Sequence, residues 1–475
     1  MLYLLKNNYY SKVEKMVKNV LPLLKSWLML LFLVAYILKS FFSLAFLPEG
    51  MAVVVILIFC AAVFDLKSLN RKLILSLLFV SGILILSAPG PFDWTGAIIE
   101  NSGIVTLLIT VPMLGAILHY DAYETVIVAA ARRFITTGYR LYLTAMGLTV
   151  LLASIMSLAA LPFVHQLLQP ITEKYSPDVL HKAITRAFTA NLFWAPNLIS
   201  VAVVLRYVHI SWHELVGVGL CFSVLAVVLA VLLGKYEMRH CQSTGVCQES
   251  DVGCSAERAV NPRGKILALI THVFVILLAL TILNTFLKKN IYVSVALVSL
   301  VVPMLIAVPL GKVRIYYQQL THYRCIVLPA MSSEFMIFMT IGFFGYSLAN
   351  SPLIDWFTSH MAVFIGLNPD LLCLVIIMTI MGLAIGGIHP IVSISSLAIA
   401  LANIDIGLSA LQLAITFITG YIMYLTLSPF SSAVMILAGL SGQNVQNVGI
   451  QLNWRYALAL TVVVVSIIHV WRVYS

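Results

Sequence analysis

Apolar residues run in stretches of about 17–23 along almost the whole chain, from Leu21 to Val473, and polar residues are confined to the gaps between them. As a helix, such a stretch spans the ~30 Å hydrocarbon core of a bilayer, because each residue rises about 1.5 Å. The pattern predicts eleven crossings, at about 20–38, 50–66, 72–89, 97–118, 187–209, 214–234, 265–286, 291–310, 328–348, 409–440 and 456–473. Two further apolar segments, 141–169 and 370–402, are interrupted near the middle and are read as re-entrant hairpins that enter and leave on one face. The predicted fold is an all-α polytopic membrane protein of about eleven transmembrane helices plus two re-entrant hairpins.

Charge sets the orientation. With the N-terminus and its Lys6, Lys12, Lys15 and Lys18 in the cytoplasm, 23 of the 28 Lys and Arg fall inside; only Lys39, Arg206, Lys288, Lys289 and Arg472 fall outside. Making 141–169 a full crossing would expose Lys235, Arg239, Arg258, Arg263 and Lys265, against the positive-inside bias. The expectation is a multi-pass protein of the cell membrane with a cytoplasmic N-terminus. Its lipid-facing bulk also explains the composition: 61% hydrophobic, 10% charged, mean hydropathy +1.03. Soluble domains carry about 25% charged residues, so a soluble enzyme, a nucleic-acid-binding module and a disordered chain are excluded. The net charge of +10 lies in topogenic clusters and predicts no nucleic-acid partner.

The interrupted elements recur. Trp194-Ala195-Pro196-Asn197-Leu198-Ile199-Ser200 in 187–209 answers Leu427-Ser428-Pro429-Phe430-Ser431-Ser432-Ala433 in 409–440, with Pro429 233 residues after Pro196. Leu161-Pro162-Phe163-Val164 answers His389-Pro390-Ile391-Val392 at an offset of 228, and an amphipathic stretch (121–137, 352–366) precedes each hairpin. Under the charge-based topology the two series run in opposite directions, which is the inverted-topology repeat used by many secondary transporters. The predicted organisation is an N-terminal segment and first helix (1–45), a first repeat (46–240), a cytoplasmic loop (241–264) and a second repeat (265–475).

Candidate chemistry sits at the interruptions. Proline removes a backbone donor and breaks a helix, and freed backbone groups are tolerated in a bilayer only inside protein or along a wet cavity. The first break brings Asn191, Pro196, Asn197 and Ser200; the second brings Thr426, Ser428 and Ser431. Half-helix ends there offer N–H groups to an anion and carbonyls to a cation. Pro162 and His165 are assigned to the first hairpin tip, and Gly387 and Pro390 to the second, with Ser393 following. His389 is a carrier of a coupling proton, a donor to substrate, or a neutral ring bonded to a backbone carbonyl. Arg186 is read as a charge anchoring a helix at the cytoplasmic edge, in preference to a ligand for a substrate carboxylate, Arg132 and Arg133 as facing headgroups, and Glu100 and Glu334 as compensating helix dipoles. His240, Cys241, Cys247 and Cys254 have spacing unlike a zinc site, and the seven cysteines form no disulfide framework. No metal, no cofactor and no nucleophile–base constellation is expected, and hence no enzyme.

Eleven helices, opposed hairpins and proline breaks resemble the ion transporter superfamily, especially the divalent-anion:sodium symporter fold, from about Met51 to the end. Pro196-Asn197 matches that family's Pro-Asn pair; Pro429-Phe430 keeps the proline alone. The family's Ser-Asn-Thr hairpin triplets are replaced by Ala160-Leu161-Pro162 and Ile388-His389-Pro390. The resemblance implies a homodimeric elevator. In it the hairpins and broken helices form a mobile domain, 97–118 and 328–348 belong to the scaffold, and the amphipathic stretches join the two. The expected function is secondary active transport of a small organic anion of carboxylate type, coupled to sodium or protons. A cation/proton antiporter of the same fold and a lipid-linked precursor flippase stand as alternatives.

Overall fold

The computed structural model describes residues 2–63, 66, 68–88, 90–120, 123–172, 175–243, 262–287, 290–353, 368–402, 404 and 406–474. All regular structure among them is helical. Each of the eleven predicted crossings falls on helix, and among the described residues eight stretches, some of them interrupted, are long and apolar enough to span by themselves. One of the eight, Gly138–Gln169, covers the segment read from the sequence as the first hairpin. Phe46–Ala62 and Ile291–Ala307 have 17 residues each and rise about 25 Å, the short end of a span. The stretch 352–366 lies almost wholly outside the described residues, as do Cys247, Cys254 and Asp405.

The chain packs into two compact units, each drawn from both halves of the sequence: Met1–Ile117 with Asn284–Asp355, and Leu118–Leu283 with Trp356–Ser475. In the first unit the N-terminal helix Leu2–Phe41 packs on Phe46–Ala62, and the Ser26 hydroxyl donates to the Arg324 carbonyl at 2.7 Å. Helix Val313–Ala330 meets Ser332–Ala349 at 55°. The bend falls at Met331, two residues after Pro329, which lacks an N–H; a π-helical turn, Tyr323–Val327, lies just before it. The amide of Asn101, at the start of helix Ser102–Thr110, donates to the Phe338 carbonyl at 3.0 Å and lies against Gly342.

The second unit holds both interrupted pairs. Helices Gly138–Met156 and Ala160–Thr172 pack on one another, as do Pro369–Ile385 and Pro390–Leu401. The broken helices are Pro177–Asn191 with Ile199–Val208, and Ala410–Leu427 with Ser432–Ser441. Helices Trp212–Ser243 and Leu452–Tyr474 follow them. The first broken helix starts ten residues earlier than its hydropathy suggests, because Ser176 caps it at the Asp178 amide and Pro177 fits its first turn. Hydroxyls inside these helices donate to the carbonyl four residues back, as Thr149, Thr189, Thr416, Thr419 and Thr426 do. That bond keeps a polar side chain satisfied where no water is present.

Candidate functional site

The first hairpin reverses at Ser157, whose φ of 54° and ψ of −133° end helix Gly138–Met156. A 3-10 turn, Ser157–Ala159, forms the tip. This corrects the expectation for Pro162 and His165. Pro162 sits in the opening turn of the return arm, where a missing N–H costs nothing, and His165 is buried further along that arm. The second hairpin turns where Gly387 and Pro390 were expected to place it: Gly386-Gly387-Ile388 connect the arms, with Gly387 at φ 90°. His389 caps helix Pro390–Leu401, its Nδ1 accepting from the Ile391 amide at 3.4 Å, and its ring lies 5.8 Å from that of Tyr424.

Both broken helices open where proline was expected to open them. Helix ends at Asn191 and resumes at Ile199, across a turn containing Pro196; the second ends at Leu427 and resumes at Ser432, 233 residues after Ile199. Each break is tied to the first arm of the hairpin in its own half. The Asn191 amide donates to the Val150 carbonyl at 3.0 Å, and the Ser428 hydroxyl donates to the Ala384 carbonyl at 2.9 Å. A glycine of the element that follows presses on the backbone where the half-helix ends: Gly219 on the Phe193 carbonyl, Gly449 on the Leu427 carbonyl. The Trp212 indole also donates to the Trp194 carbonyl at 3.0 Å. Carbonyls released by the breaks are thus covered by protein.

The second half-helices exchange partners. Ile199–Val208 packs on Pro390–Leu401 and Ala410–Leu427, while Ser432–Ser441 packs on Ala160–Thr172 and Pro177–Asn191. The two interrupted series are interlocked in one unit, so residues from both lie along adjoining helices.

The two restarted helices differ at their N-termini. Ser431 caps Ser432–Ser441, accepting from the Val434 amide at 3.2 Å and donating to the Leu425 carbonyl at 3.1 Å. Ile199–Val208 starts at Leu198 with no side-chain cap. Ser200 faces back toward the Leu192 carbonyl at 3.5 Å, and Asn197, 7% exposed, has no partner for its Nδ2 among the described residues. Oδ1 of Asn191 and the hydroxyls of Thr185 and Ser393 are likewise buried and unpartnered among the described residues; Ser393 lines an apolar cavity with Leu372, Ile376, Val392 and Leu397. Buried polar atoms normally find partners. These stand out because Ser428, Ser431 and Thr426 nearby are bonded.

Arg186 corrects another expectation. It is fully buried and paired, not an exposed anchor: Nη2 donates to both oxygens of Glu237 (3.0 and 3.2 Å) and to the Leu452 carbonyl, Nε to Asn453, and Nη1 to Tyr142. Tyr456 lies over its guanidinium. Its sequence neighbours gave no sign of these partners, which come from three other helices.

An all-helical polytopic membrane architecture with paired hairpins and paired helix breaks is the class that the structure defines. The fold is similar to that of the YdaH transporter of Alcanivorax borkumensis, whose crystal structure reveals an unusual topology. The match has a TM-score of 0.56 at 14% identity and covers 86% of this chain and 98% of that one. The likeness is to a transporter fold, and it does not single out the divalent-anion:sodium symporter fold that the sequence resembles. No family model matches the chain, and no curated protein matches its sequence.

Proposed function

We propose that the protein is a secondary active transporter that moves a small organic anion, of carboxylate type, across the cell membrane in exchange for the energy of a sodium or proton gradient. The observation that carries this reading is the start of helix Ile199–Val208: an uncapped N-terminus beside the buried, unpartnered Asn197 amide. Free N–H groups, a positive dipole end and an amide donor suit a carboxylate. The likeness to a transporter fold and the recurrence of hairpin, broken helix and carbonyl-covering glycine in both halves support it.

The same recurrence, with the charge bias of the loops, supports an inverted-topology repeat with a cytoplasmic N-terminus. The gathering of both hairpins and both broken helices into one compact unit, with 102–110 and 332–349 in the other, supports an elevator in which the former carries substrate. A homodimer is the expected assembly. The antiporter reading calls for a membrane-buried carboxylate; among the described residues no Asp or Glu is fully buried, and the groups at the breaks are amides and hydroxyls. Counterflow in proteoliposomes over a panel of labelled carboxylates, amino acids and inorganic anions tests the proposal. Exchange of at least one carboxylate is expected; retention of full exchange by the Asn197→Ala, Ser428→Ala double variant removes the site.

A further inference from the structure

Outside the breaks, the second unit buries a pair of histidines. His165, on the return arm of the first hairpin, and His181, on helix Pro177–Asn191, are 5% and 0% exposed. Their Nε2 atoms are 3.4 Å apart, and the ring planes differ by 14° with centroids 5.4 Å apart. The centroid separation exceeds the Nε2 separation by 2.0 Å, close to two ring radii, so the imidazole tips face one another. A metal ion has no room between tips set this way, but a proton does. Both Nδ1 atoms are buried without a hydrogen bond to the described residues, and the Gln443 side chain lies within reach of the His181 ring.

We propose that His165 and His181 together form a proton-binding site, the place at which the carrier takes up its coupling proton; this assignment rests on the transporter reading above. In the neutral pair one Nε2–H donates to the lone pair of the other Nε2, and the accepting ring carries its hydrogen on Nδ1. The donor ring then keeps a bare Nδ1 lone pair. An added proton binds there without breaking the Nε2–H···Nε2 bond, giving one positive charge shared by two rings.

Burial disfavours charge on the pair, and the carboxylate of Asp178 partly offsets that. Asp178 precedes His181 by three residues on the same helix, and its Oδ1 accepts from Gln443 at 3.0 Å. Among the described side chains of the helices that pack against the pair, the following charges are engaged elsewhere or exposed. Glu237 is held by Arg186 and Lys182. Arg132, Arg133, Lys235 and Arg455 are exposed, and Arg140 bonds Thr136. His469 and Arg472 bond Asp370. The phenols of Tyr142 and Tyr456 lie at Arg186, and Tyr421 and Tyr424 lie beside each other. Ser432–Ser441, which packs on the return arm, has no titratable side chain.

The test is nitrogen-15 NMR of histidine-labelled, full-length protein in lipid nanodiscs, titrated from about pH 8 to about pH 5, the range in which histidine changes charge. The expected result is two imidazoles that titrate together and take up one proton between them, with that uptake lost from His165 in the His181→Gln variant. His165→Phe, which keeps an aromatic ring in place, gives the reciprocal loss at His181 should the first variant not fold. Two rings that stay neutral to pH 5, or that each take a proton independently, overturn the proposal. The measurement needs no substrate: a failed counterflow assay overturns the carrier reading with the paired titration intact, and the converse result leaves the carrier reading in place.

Discussion

Arg186 places Nη2 3.0 and 3.2 Å from the two carboxylate oxygens of Glu237, in a setting where the arginine has no contact with solvent. This pair joins helix Pro177–Asn191 to Trp212–Ser243, and the further bonds to Asn453 and Leu452 bring in the C-terminal helix. Removing one member of a buried pair strands the other charge, at a cost of about 3–5 kcal/mol. Glu237→Ala is therefore expected to lower the melting temperature of the purified protein sharply. The Arg186→Leu, Glu237→Leu double variant is expected to lose much less, because no fully buried charge is left uncompensated and Lys182, which loses Glu237, is part-exposed. Thermal unfolding of the three variants side by side checks this; a Glu237→Ala protein as stable as the parent would show that Lys182 and Asn453 suffice.

Asn197 and Ser428 occupy corresponding breaks but are expected to respond differently. Ser428 donates to Ala384 and accepts from the Phe430 amide, so Ser428→Ala leaves both groups short of a partner and costs about 1 kcal/mol or more of stability. The Asn197 Nδ2 satisfies nothing among the described residues, so Asn197→Ala is expected to be neutral or slightly stabilising. Its effect falls on transport. A hydrogen bond to a charged ligand is worth about 1.5–3 kcal/mol, which is roughly ten- to a hundredfold in uptake at low substrate. Melting curves and initial uptake rates, read on the same preparations, separate the two roles.

Much of the membrane organisation was legible in the sequence, since a span needs only a long enough apolar run. Pro196 and Pro429 announced the breaks, because a missing donor has the same consequence in any helix. What stayed hidden depends on tertiary partners. Arg186 looks like any cation near a helix end until Glu237, 51 residues on, is brought to it. The tip of the first hairpin carries no glycine or proline; Ser157 takes the left-handed turn itself, and a serine in an apolar run gives no local signal. Pro162 drew the assignment because proline is conspicuous, yet at the start of a helix it is compatible with helical geometry. His165 was singled out as a tip residue when its real partner, His181, lies on the next helix.

Ser157 holds a backbone conformation that side chains disfavour, at a cost of order 1–3 kcal/mol. Ser157→Gly removes that penalty at the hairpin tip. The variant is expected to melt higher than the parent, and Ser157→Val lower, because a β-branched residue adds to the strain. Equal melting temperatures for all three would show that the tip relaxes without cost.

Gly219 and Gly449 make the last case, because they bear on whether the two breaks are equivalent. A Cβ at position 449 would stand 2.8 Å from the Leu427 carbonyl oxygen, and one at 219 would meet the Phe193 carbonyl more closely still. Neither neighbour is a flexible side-chain end that can swing away; each is backbone at the end of a half-helix. Overpacking of this kind costs about 1–3 kcal/mol. Gly219→Ala and Gly449→Ala are each expected to destabilise by that order and to slow transport, since relief of the clash moves the backbone that positions Asn197 or Ser428. Gly147→Ala is the control: a Cβ there meets nothing within 4 Å, and in a helix interior alanine is the better residue. Parallel losses at 219 and 449 with none at 147 mark the two breaks as equivalent devices, whereas a loss at only one of them would make the other an ordinary proline kink.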